Sequence, residues 1–199
     1  MKKSISNSLY QVFLIVFSVV LGLFLSERIE EFKNEREAEN LLSKIKSEVN
    51  DNKALVENWA PYHQEIVKKL DSLSNDLAFI DEFSNNKVAL FEKAFTRGTL
   101  MSVMPTNEAW DIAKSNPLIV NLEYDQLLVL SKIYNQQELT FEPFTKISEV
   151  FLIPDFNSKS NARINMIKLK NLIREIAARE MTLINYFNQA ESILKLEDK

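Results

Sequence analysis

The sequence predicts an all-α protein in which an N-terminal single transmembrane helix continues into a long stalk helix, followed by an antiparallel helical bundle. Three observations support this fold class. An uncharged apolar run lies near the N-terminus, apolar residues recur at spacings of three and four, and glycine occurs only twice in 199 residues. Average usage would give roughly fourteen glycines. Phosphate loops, dinucleotide-binding turns and turn-rich β-sandwiches depend on glycine, so the composition excludes them.

The first element is a predicted transmembrane helix over residues 9–26, after a short cytoplasmic head of residues 1–8. Residues 4–26 form a run of 23 without a charge. A helix of that length reaches about 34 Å, and a hydrocarbon core is about 30 Å thick. The lipid bilayer is therefore the expected partner of residues 9–26. The alternative is a cleaved signal peptide, but its only acceptable cleavage site, at Gly22, lies inside the apolar run rather than after it.

The orientation of this helix in the membrane is judged from the basic residues on its two sides. Two lysines precede it and three basic residues, Arg28, Lys33 and Arg36, follow it, so the positive-inside rule nearly balances. The short head with its Lys-Lys start is typical of a signal anchor. We therefore expect a single-pass membrane protein with its N-terminus in the cytoplasm and its C-terminal domain exported.

One face of the predicted membrane helix carries small and polar residues. Ser18, Gly22 and Ser26 follow one another at intervals of four, and Gln11 lies on the same face. Small residues let helix backbones approach closely in lipid, and an amide can hydrogen-bond across the contact. This face predicts helix–helix association in the membrane, either with a second copy or with another membrane protein.

Residues 27–59 are predicted to form the juxtamembrane stalk and the first bundle helix. No glycine or proline interrupts them, and their apolar positions fall mostly three and four residues apart. The part nearest the membrane is almost wholly charged or polar, as expected of a helix in water. Residues 60–199 form the predicted bundle domain, in which Pro61 breaks the chain and starts a new helix to about Phe83.

The middle of the chain is less regular. The conformation of residues 85–104 stays open between helix and strand. Thr106 is the predicted N-cap of a short helix that ends near Lys114, and Asn121 is the predicted N-cap of a helix that ends near Glu138.

The last part of the chain contains the second long helix. An aromatic segment, residues 141–156, contains two prolines and is expected to be half helical at best. After a polar loop at residues 158–161, a closing helix runs to about Leu196. It is predicted to pack along the first or second helix as part of an antiparallel, coiled-coil-like bundle.

Composition argues against most chemistry. The chain has no cysteine and one histidine, which excludes disulfides, thiolate zinc sites, cysteine nucleophiles and lipoprotein anchors. No HExxH or GxSxG motif is present. From residue 26 onward 22 basic residues face 28 acidic ones, a poor balance for nucleic-acid binding. The sequence therefore predicts no enzyme, no metal, no cofactor and no nucleic-acid partner.

Five residues are candidates for a pocket or an interface: Trp59, His63, Trp110, Tyr134 and Gln136. Each also has a simpler interpretation. The tryptophans fill junctions where helices meet, the lone histidine is a hydrogen-bonded packing residue, and the glutamine is solvated or caps backbone. For His63 the alternatives are a pH-sensing role, contact with a ligand or, least favoured, a catalytic role.

Several short pieces resemble recurring motifs of a family of bacterial membrane-anchored helical proteins of unknown function. They are the apolar run from Phe13 that leads into Glu27-Arg-Ile, then Glu48-Val-Asn50, Pro61-Tyr62-His63, Thr106-Asn-Glu-Ala109-Trp110 and Ile133-Tyr134-Asn-Gln136. Together they cover roughly residues 12–137. The resemblance implies a membrane anchor and a helical domain, and it implies no activity or catalytic residues. Combined with the orientation expected from charge, it implies a single-pass protein of the bacterial inner membrane with its C-terminal domain in the periplasm.

The leading functional hypothesis is a non-enzymatic, membrane-tethered interaction module that serves as an accessory or assembly subunit of an envelope complex. The alternative is a periplasmic ligand-binding or sensor domain that acts through a partner protein. That alternative requires Trp59, His63, Trp110 and Tyr134 to share one pocket.

Overall fold

The computed structural model describes the backbone of residues 2–196 and the side chains of residue 10 and residues 13–196. Every regular element in that part of the chain is a helix, which confirms the all-α fold class. The elements are α1 (Lys2–Leu73), α2 (Leu77–Asn85), α3 (Ala89–Ala94), α4 (Glu108–Ser115), a 3₁₀ helix (Pro117–Asn121), α5 (Tyr124–Phe141), α6 (Pro143–Phe151) and α7 (Ala162–Leu194).

The bundle is built around an antiparallel pair formed by α1 and α7. Each helix buries a stripe of residues spaced alternately three and four apart, the spacing of a coiled-coil seam. The α1 stripe is Ile45, Val49, Asn52, Val56, Trp59, His63, Ile66 and Leu70, and the α7 stripe is Met166, Leu169, Ile173, Ile176, Glu180, Leu183, Phe187, Ala190 and Leu194.

Ion pairs at both ends of this helix pair fix its direction. Lys170 Nζ lies 2.7 Å from Asp71 Oδ1 at one end, and Lys53 pairs with Glu191 at the other. The helices α5 and α6 pack on α7, whereas α4 and the 3₁₀ helix pack on α1. The prediction that the closing helix lies along the first or second helix is therefore confirmed, since α1 contains the predicted first helix and the beginning of the second.

The predicted break at Pro61 is wrong, because α1 continues through it to Leu73. Proline removes one helix hydrogen bond and disturbs the preceding turn. Pro61 lies on the solvent side of α1, while the residues on either side of it are buried. One carbonyl of the disturbed turn, that of Asn58, accepts a hydrogen bond from the Arg97 guanidinium at 3.3 Å. The carbonyl that Pro61 leaves without its helix donor is that of Glu57, four residues earlier. The packing of the buried residues on either side, Ala60 and Tyr62, keeps the helix continuous.

The predicted short helices exist, but their caps differ. The N-cap of α4 is Asn107 rather than Thr106, and its side chain makes no capping bond. The N-cap of α5 is Glu123 rather than Asn121, and it forms a reciprocal capping box with Gln126. A capping box satisfies two of the free N–H groups at a helix start, so Glu123 is the stronger cap.

The aromatic segment is more helical than predicted, since α6 spans nine residues and begins at Pro143. Its phenylalanines join the core. The Phe151 ring lies 5.3 Å from that of Phe91 and 5.4 Å from that of Phe156. These contacts connect α6 to α3, the one short helix within the region left open by sequence.

The N-terminal part of α1 projects from the bundle. The side chains of residues 13–33 are all exposed, and Ala38 is the first buried residue among the described side chains of α1. The apolar part of this projection, residues 13–25, includes Phe13 at 62% and Leu23 at 68% exposure. The stalk, residues 26–37, is mostly charged and about 18 Å long at 1.5 Å per residue.

Among the residues whose side chains are described, no helix is both long enough and apolar enough to cross a membrane. The predicted span over residues 9–26 includes positions 9, 11 and 12, whose side chains lie outside that description. The predicted packing residue Gln11 and the predicted head, residues 1–8, lie outside it as well.

Candidate functional sites in two buried polar clusters

The first cluster is centred on Glu48, a half-buried residue of α1, and we call it the Glu48 cluster. Its Oε2 accepts hydrogen bonds from the Ala109 N–H at 2.8 Å and the Thr106 hydroxyl at 3.1 Å. Its Oε1 accepts from the Trp110 N–H at 3.3 Å and the Tyr134 hydroxyl at 2.6 Å. The first N–H groups of a helix lack partners within it and favour negative charge. Glu48 therefore caps α4 from a different helix.

The loop before α4 is held by two amide side chains. Asn52 Nδ2 donates to the Thr106 carbonyl at 2.7 Å, and Asn52 Oδ1 accepts from the Thr106 N–H at 3.0 Å. Gln137 Nε2 donates to the same carbonyl at 3.0 Å, and its Oε1 accepts from Asn52 at 3.1 Å. The backbone of Thr106 is thus fixed by α1 and α5 together.

Two aromatic rings complete the Glu48 cluster. Trp110 and Tyr134 stack with ring centroids 5.3 Å apart and planes 3° from parallel, and both are buried. Burial and the adjacent Glu48 carboxylate raise the pKa of Tyr134 above its ordinary value. The phenol therefore stays protonated and acts as a hydrogen-bond donor.

The Glu48 cluster joins three of the motif pieces that carry the family resemblance. Glu48, the Thr106–Trp110 segment and Tyr134 lie far apart in sequence, with up to 86 residues between bonded partners. In the structure they form one joint between α1, α4 and α5. The four groups described above that donate to Glu48 all belong to this joint, so its chemistry is that of a helix cap.

A small cleft opens beside the Glu48 cluster. It encloses about 190 Å³ and is lined in part by Met104, Trp110, Tyr134 and Phe141. Pockets for drug-sized ligands are typically about 300–1,000 Å³, so the cleft is smaller than such a site. Neither Trp59 nor His63 contributes to its lining.

The second cluster is centred on a fully buried pair, His63 of α1 and Glu180 of α7, each 0% exposed. His63 Nδ1 lies 2.8 Å from Glu180 Oε1, and His63 Nε2 lies 2.9 Å from the Leu100 carbonyl. A carbonyl only accepts, so Nε2 carries a hydrogen. Burial raises the pKa of Glu180 although His63 opposes the shift. Glu180 Oε2 is buried without a hydrogen-bond partner.

Aromatic rings and one arginine surround this pair. The His63 ring lies 6.3 Å from those of Trp59 and Phe144. The Arg97 guanidinium lies over the Trp59 and Tyr62 rings at 5.0 and 4.8 Å. The Arg97 N–H also donates to the Tyr62 hydroxyl at 3.1 Å. These contacts anchor the loop after α3 on α1.

The candidate residues are divided between the two clusters. Trp59 and His63 belong to the second, and Trp110 and Tyr134 to the Glu48 cluster. The two centres, Glu48 and His63, are fifteen residues apart on α1, which corresponds to about 22 Å. The structure therefore does not bring the four aromatic candidates into one pocket.

Gln136 lies on α5, outside the bonds of both centres. Its Nε2 donates to the Thr140 hydroxyl at 3.3 Å and to the Arg179 carbonyl at 3.5 Å. It therefore links α5 to α7.

The described members of the predicted membrane packing face are exposed on the projecting part of α1. Ser18 Oγ donates to the Leu14 carbonyl at 2.7 Å, so its hydroxyl is satisfied within the helix. A Cβ atom added to Gly22 would meet nothing within 4 Å. Gly22 and Ser26 have free space around them on this face.

Sequence reasoning missed two buried polar residues, Asn52 and Glu180. Both occupy apolar positions of the coiled-coil stripes, Asn52 on α1 and Glu180 on α7. A polar residue at such a position requires a buried hydrogen-bond partner. The register of the stripe was therefore a usable indication that these side chains pair inside the bundle.

Comparison of the chain with protein-family models, curated proteins and solved structures gives no match. The family resemblance of the short motifs stays a prediction. Within the described residues, no three histidine, aspartate or glutamate side chains are grouped so as to hold a metal ion.

Proposed function

We propose that the protein is a membrane-tethered, non-enzymatic helical interaction module, an accessory or assembly subunit of a bacterial envelope complex. The observation that carries this proposal is the exposed apolar segment, residues 13–25, in one continuous helix with the bundle. Burying one large apolar side chain gains about 1.5–3 kcal/mol. With roughly a dozen such side chains, the segment gains tens of kcal/mol on leaving water.

The bilayer is the proposed environment of this segment. The apolar side chains occupy all sides of the helix, and a helix apolar all round is buried in protein or in a membrane. The sequence extends the uncharged run back to Ser4. With residues 9–26 in lipid, the charged stalk holds the bundle about 18 Å above the membrane surface.

Gly22 supports a helical partner within the membrane. Glycine in a helix costs about 1 kcal/mol relative to alanine, and none of the residues that the structure describes approaches Gly22 closely enough to require it. Close contact with another helix is a reason that lies outside the chain. The proposed partner is a second copy or another membrane protein that packs on the face with Gln11, Ser18 and Ser26.

A non-enzymatic role is supported by how the polar side chains are used. Glu48 caps a helix with both oxygens. His63 and Glu180 are fully buried and cannot touch a substrate in this conformation. The groups with the greatest capacity for acid–base chemistry therefore maintain the fold.

Membrane extraction tests the anchor. We expect the wild-type chain to stay in the membrane pellet after alkaline carbonate treatment. The double variant Val16→Arg/Val20→Arg should be released, since each arginine at a helix centre costs about 2.5–3.5 kcal/mol. The matched control is Leu152→Arg, which changes an apolar side chain that is 80% exposed on the bundle and should not alter pelleting. A double variant that pellets like the wild type would contradict the anchor.

Thiol labelling tests the orientation, because the chain has no cysteine of its own. A single cysteine at position 152 should react with a membrane-impermeant maleimide in intact spheroplasts. Reaction only after lysis would place the bundle in the cytoplasm and overturn the periplasmic assignment.

The interaction role requires a stable partner. Tagged full-length protein, purified in mild detergent, should carry a stoichiometric second copy or membrane protein, identified by mass spectrometry and cross-linking. Gly22→Leu should abolish this association, whereas Gly22→Ala should weaken it less. Monomeric wild-type protein without a bound partner would refute the module.

A further inference from the structure

We propose that His63 and Glu180 form a proton-dependent latch that holds the loop at Leu100 closed and releases it as the pH rises. This proposal is independent of the membrane anchor. It concerns the bundle alone and follows from the number of hydrogens available to the two buried groups.

The latch connects three parts of the bundle. His63 belongs to α1, Glu180 to α7, and the Leu100 carbonyl to the loop between α3 and α4. Both side chains are 0% exposed and lie in the facing stripes of the coiled-coil pair. Next to them in those stripes are apolar residues such as Ile66 and Leu183, so water offers no substitute for a lost hydrogen bond.

The closed state requires two hydrogens on the line from Leu100 through His63 to Glu180. One lies on Nε2, because the Leu100 carbonyl only accepts. The other is shared between Nδ1 and Glu180 Oε1, which are 2.8 Å apart. With both hydrogens present the pair is neutral overall, either as two uncharged groups or as an imidazolium–carboxylate pair.

Loss of one proton leaves a single hydrogen for two acceptors. A neutral imidazole has one N–H, and a hydrogen bond to a carboxylate is roughly twice as strong as one to a neutral oxygen. The remaining hydrogen therefore moves to Nδ1 and stays with Glu180. The bare Nε2 then points its lone pair at the Leu100 carbonyl, and the two acceptors repel. This repulsion moves the loop that carries Leu100 away from His63.

The charged and titratable groups around the latch are already engaged elsewhere. On the loop, the Arg97 guanidinium lies over two aromatic rings. On α1, the Tyr62 hydroxyl accepts a hydrogen bond from the backbone N–H of Arg97, and Glu65 pairs with Lys69. On α7, Arg179 pairs with Glu175, and it also lies 3.5 Å from Glu142, which precedes α6. Glu142 and Glu65 are exposed, so the titration of these surface groups is separable from that of the pair.

Release of the loop can be measured as the exposure of Met101. Met101 follows Leu100 directly and is buried, with 9% exposure, whereas the next residues are exposed. Opening the latch should uncover Met101 first.

The first test uses His63 as its own probe, since it is the only histidine. Nitrogen-15 NMR of the full chain in detergent micelles gives one imidazole. We expect Nε2 to be protonated at low pH and the proton to move to Nδ1 alone as the pH rises. In Glu180→Gln the amide donates to Nδ1, so the Nε2–H form should persist at all pH values. An Nε2–H form that persists in the wild-type chain as well would overturn the latch.

The second test measures the loop itself. We measure the thiol labelling rate of Met101→Cys and divide it by that of the exposed control Leu152→Cys. The ratio corrects for the fact that a higher pH makes more reactive thiolate at any cysteine. This ratio should rise at least tenfold across the NMR transition and stay constant when Glu180→Gln is added. A flat ratio, or an equal rise with Glu180→Gln, would refute the proposal. If Met101→Cys does not fold, hydrogen exchange of residues 97–104, compared between wild type and Glu180→Gln at equal pH, decides in the same way.

Discussion

Glu48→Gln is the sharpest test of the joint between α1, α4 and α5. The variant preserves the shape of the side chain but turns one acceptor oxygen into an NH₂ donor. Each Glu48 oxygen faces one backbone N–H of α4, that of Ala109 on one side and that of Trp110 on the other. Hydroxyl groups can rotate to accept, but a backbone N–H cannot. Whichever oxygen becomes nitrogen, one N–H of α4 then meets another donor.

The cost can be worked out from these contacts. A hydrogen bond to a charged group contributes about 1.5–3 kcal/mol, and a negative charge at a helix N-terminus about 0.3–1 kcal/mol. Glu48→Gln removes one such bond and the charge, so we expect a loss of about 2–4 kcal/mol. That is a large part of the roughly 5–15 kcal/mol that stabilises a typical domain.

Urea unfolding of the full-length protein in mild detergent, followed by far-UV circular dichroism, measures this loss. With a slope of about 2 kcal/mol per molar urea, the middle of the usual range, the midpoint should fall by about 1–2 M with the slope unchanged. Tyr134→Phe should cost less, because it removes one donor and leaves three others on the carboxylate. The matched control is Glu65→Gln, an exposed carboxylate of the same helix paired with Lys69, which should not shift the midpoint. A Glu48→Gln midpoint equal to that of the control would refute the capping role.

Three further outcomes are expected. Phe187→Ala should cost about 3–5 kcal/mol through the cavity it leaves in the core, whereas the exposed control Met181→Ala should leave thermal unfolding nearly unchanged. Pro61→Ala should stabilise the protein by about 2 kcal/mol, since proline costs about 3 kcal/mol inside a helix and restrains the unfolded chain by less than 1 kcal/mol; a lower unfolding midpoint would contradict this. Folding raises the pKa of Glu180. The contribution of the protonated Glu180 to stability is therefore complete below the ordinary glutamate pKa of about 4.5 and is lost as the pH rises through the pKa in the folded protein. The loss is at most about 1.4 kcal/mol per pH unit. The stability of Glu180→Gln relative to wild type should therefore increase with pH above about 4.5, and a pH-independent difference between the two would refute the assignment.

The helical conformation and the buried faces of α1 and α7 could be predicted from sequence, although the continuity of α1 through Pro61 could not, because the apolar spacing that indicates them is repeated many times. From Ile45 to Leu70 and from Met166 to Leu194 every third or fourth residue is buried, and such a period identifies a helix and its buried face without knowledge of the partner. The exposed stalk, residues 26–37, follows from the same reasoning, since it contains almost no apolar side chains.

The errors occurred where a distant residue outweighs the local sequence. Thr106 has the right residue type for a cap, but the capping group is the Glu48 carboxylate, 58 residues away. Pro61 is a strong local breaker, but the packing contacts of its buried neighbours Ala60 and Tyr62 outweigh it. Local rules give the preference of a segment in isolation, and these contacts exist only after the helices have packed.

The contents of the candidate clusters were only partly predictable for the same reason. Trp59 and His63 are close on one helix, so their proximity follows from spacing. The pairing of His63 with Glu180 spans 117 residues and depends on the register of α1 against α7. A buried polar pair within a coiled coil favours one register of the two helices over the neighbouring registers. The His63–Glu180 contact therefore depends on the register of α1 against α7 and also stabilises that register.

The continuity of α1 has a geometric consequence for any partner of the bundle. From Leu25 to Leu73 the helix rises about 72 Å, so its length sets the distance between the apolar segment and the far end of the bundle. It also fixes the rotational phase, because each added residue turns the bundle by about 100°. Inserting seven residues into the stalk would raise the bundle by about 10 Å and turn it by only about 20°. Inserting two would raise it by about 3 Å and turn it by about 200°, so height and direction can be varied separately.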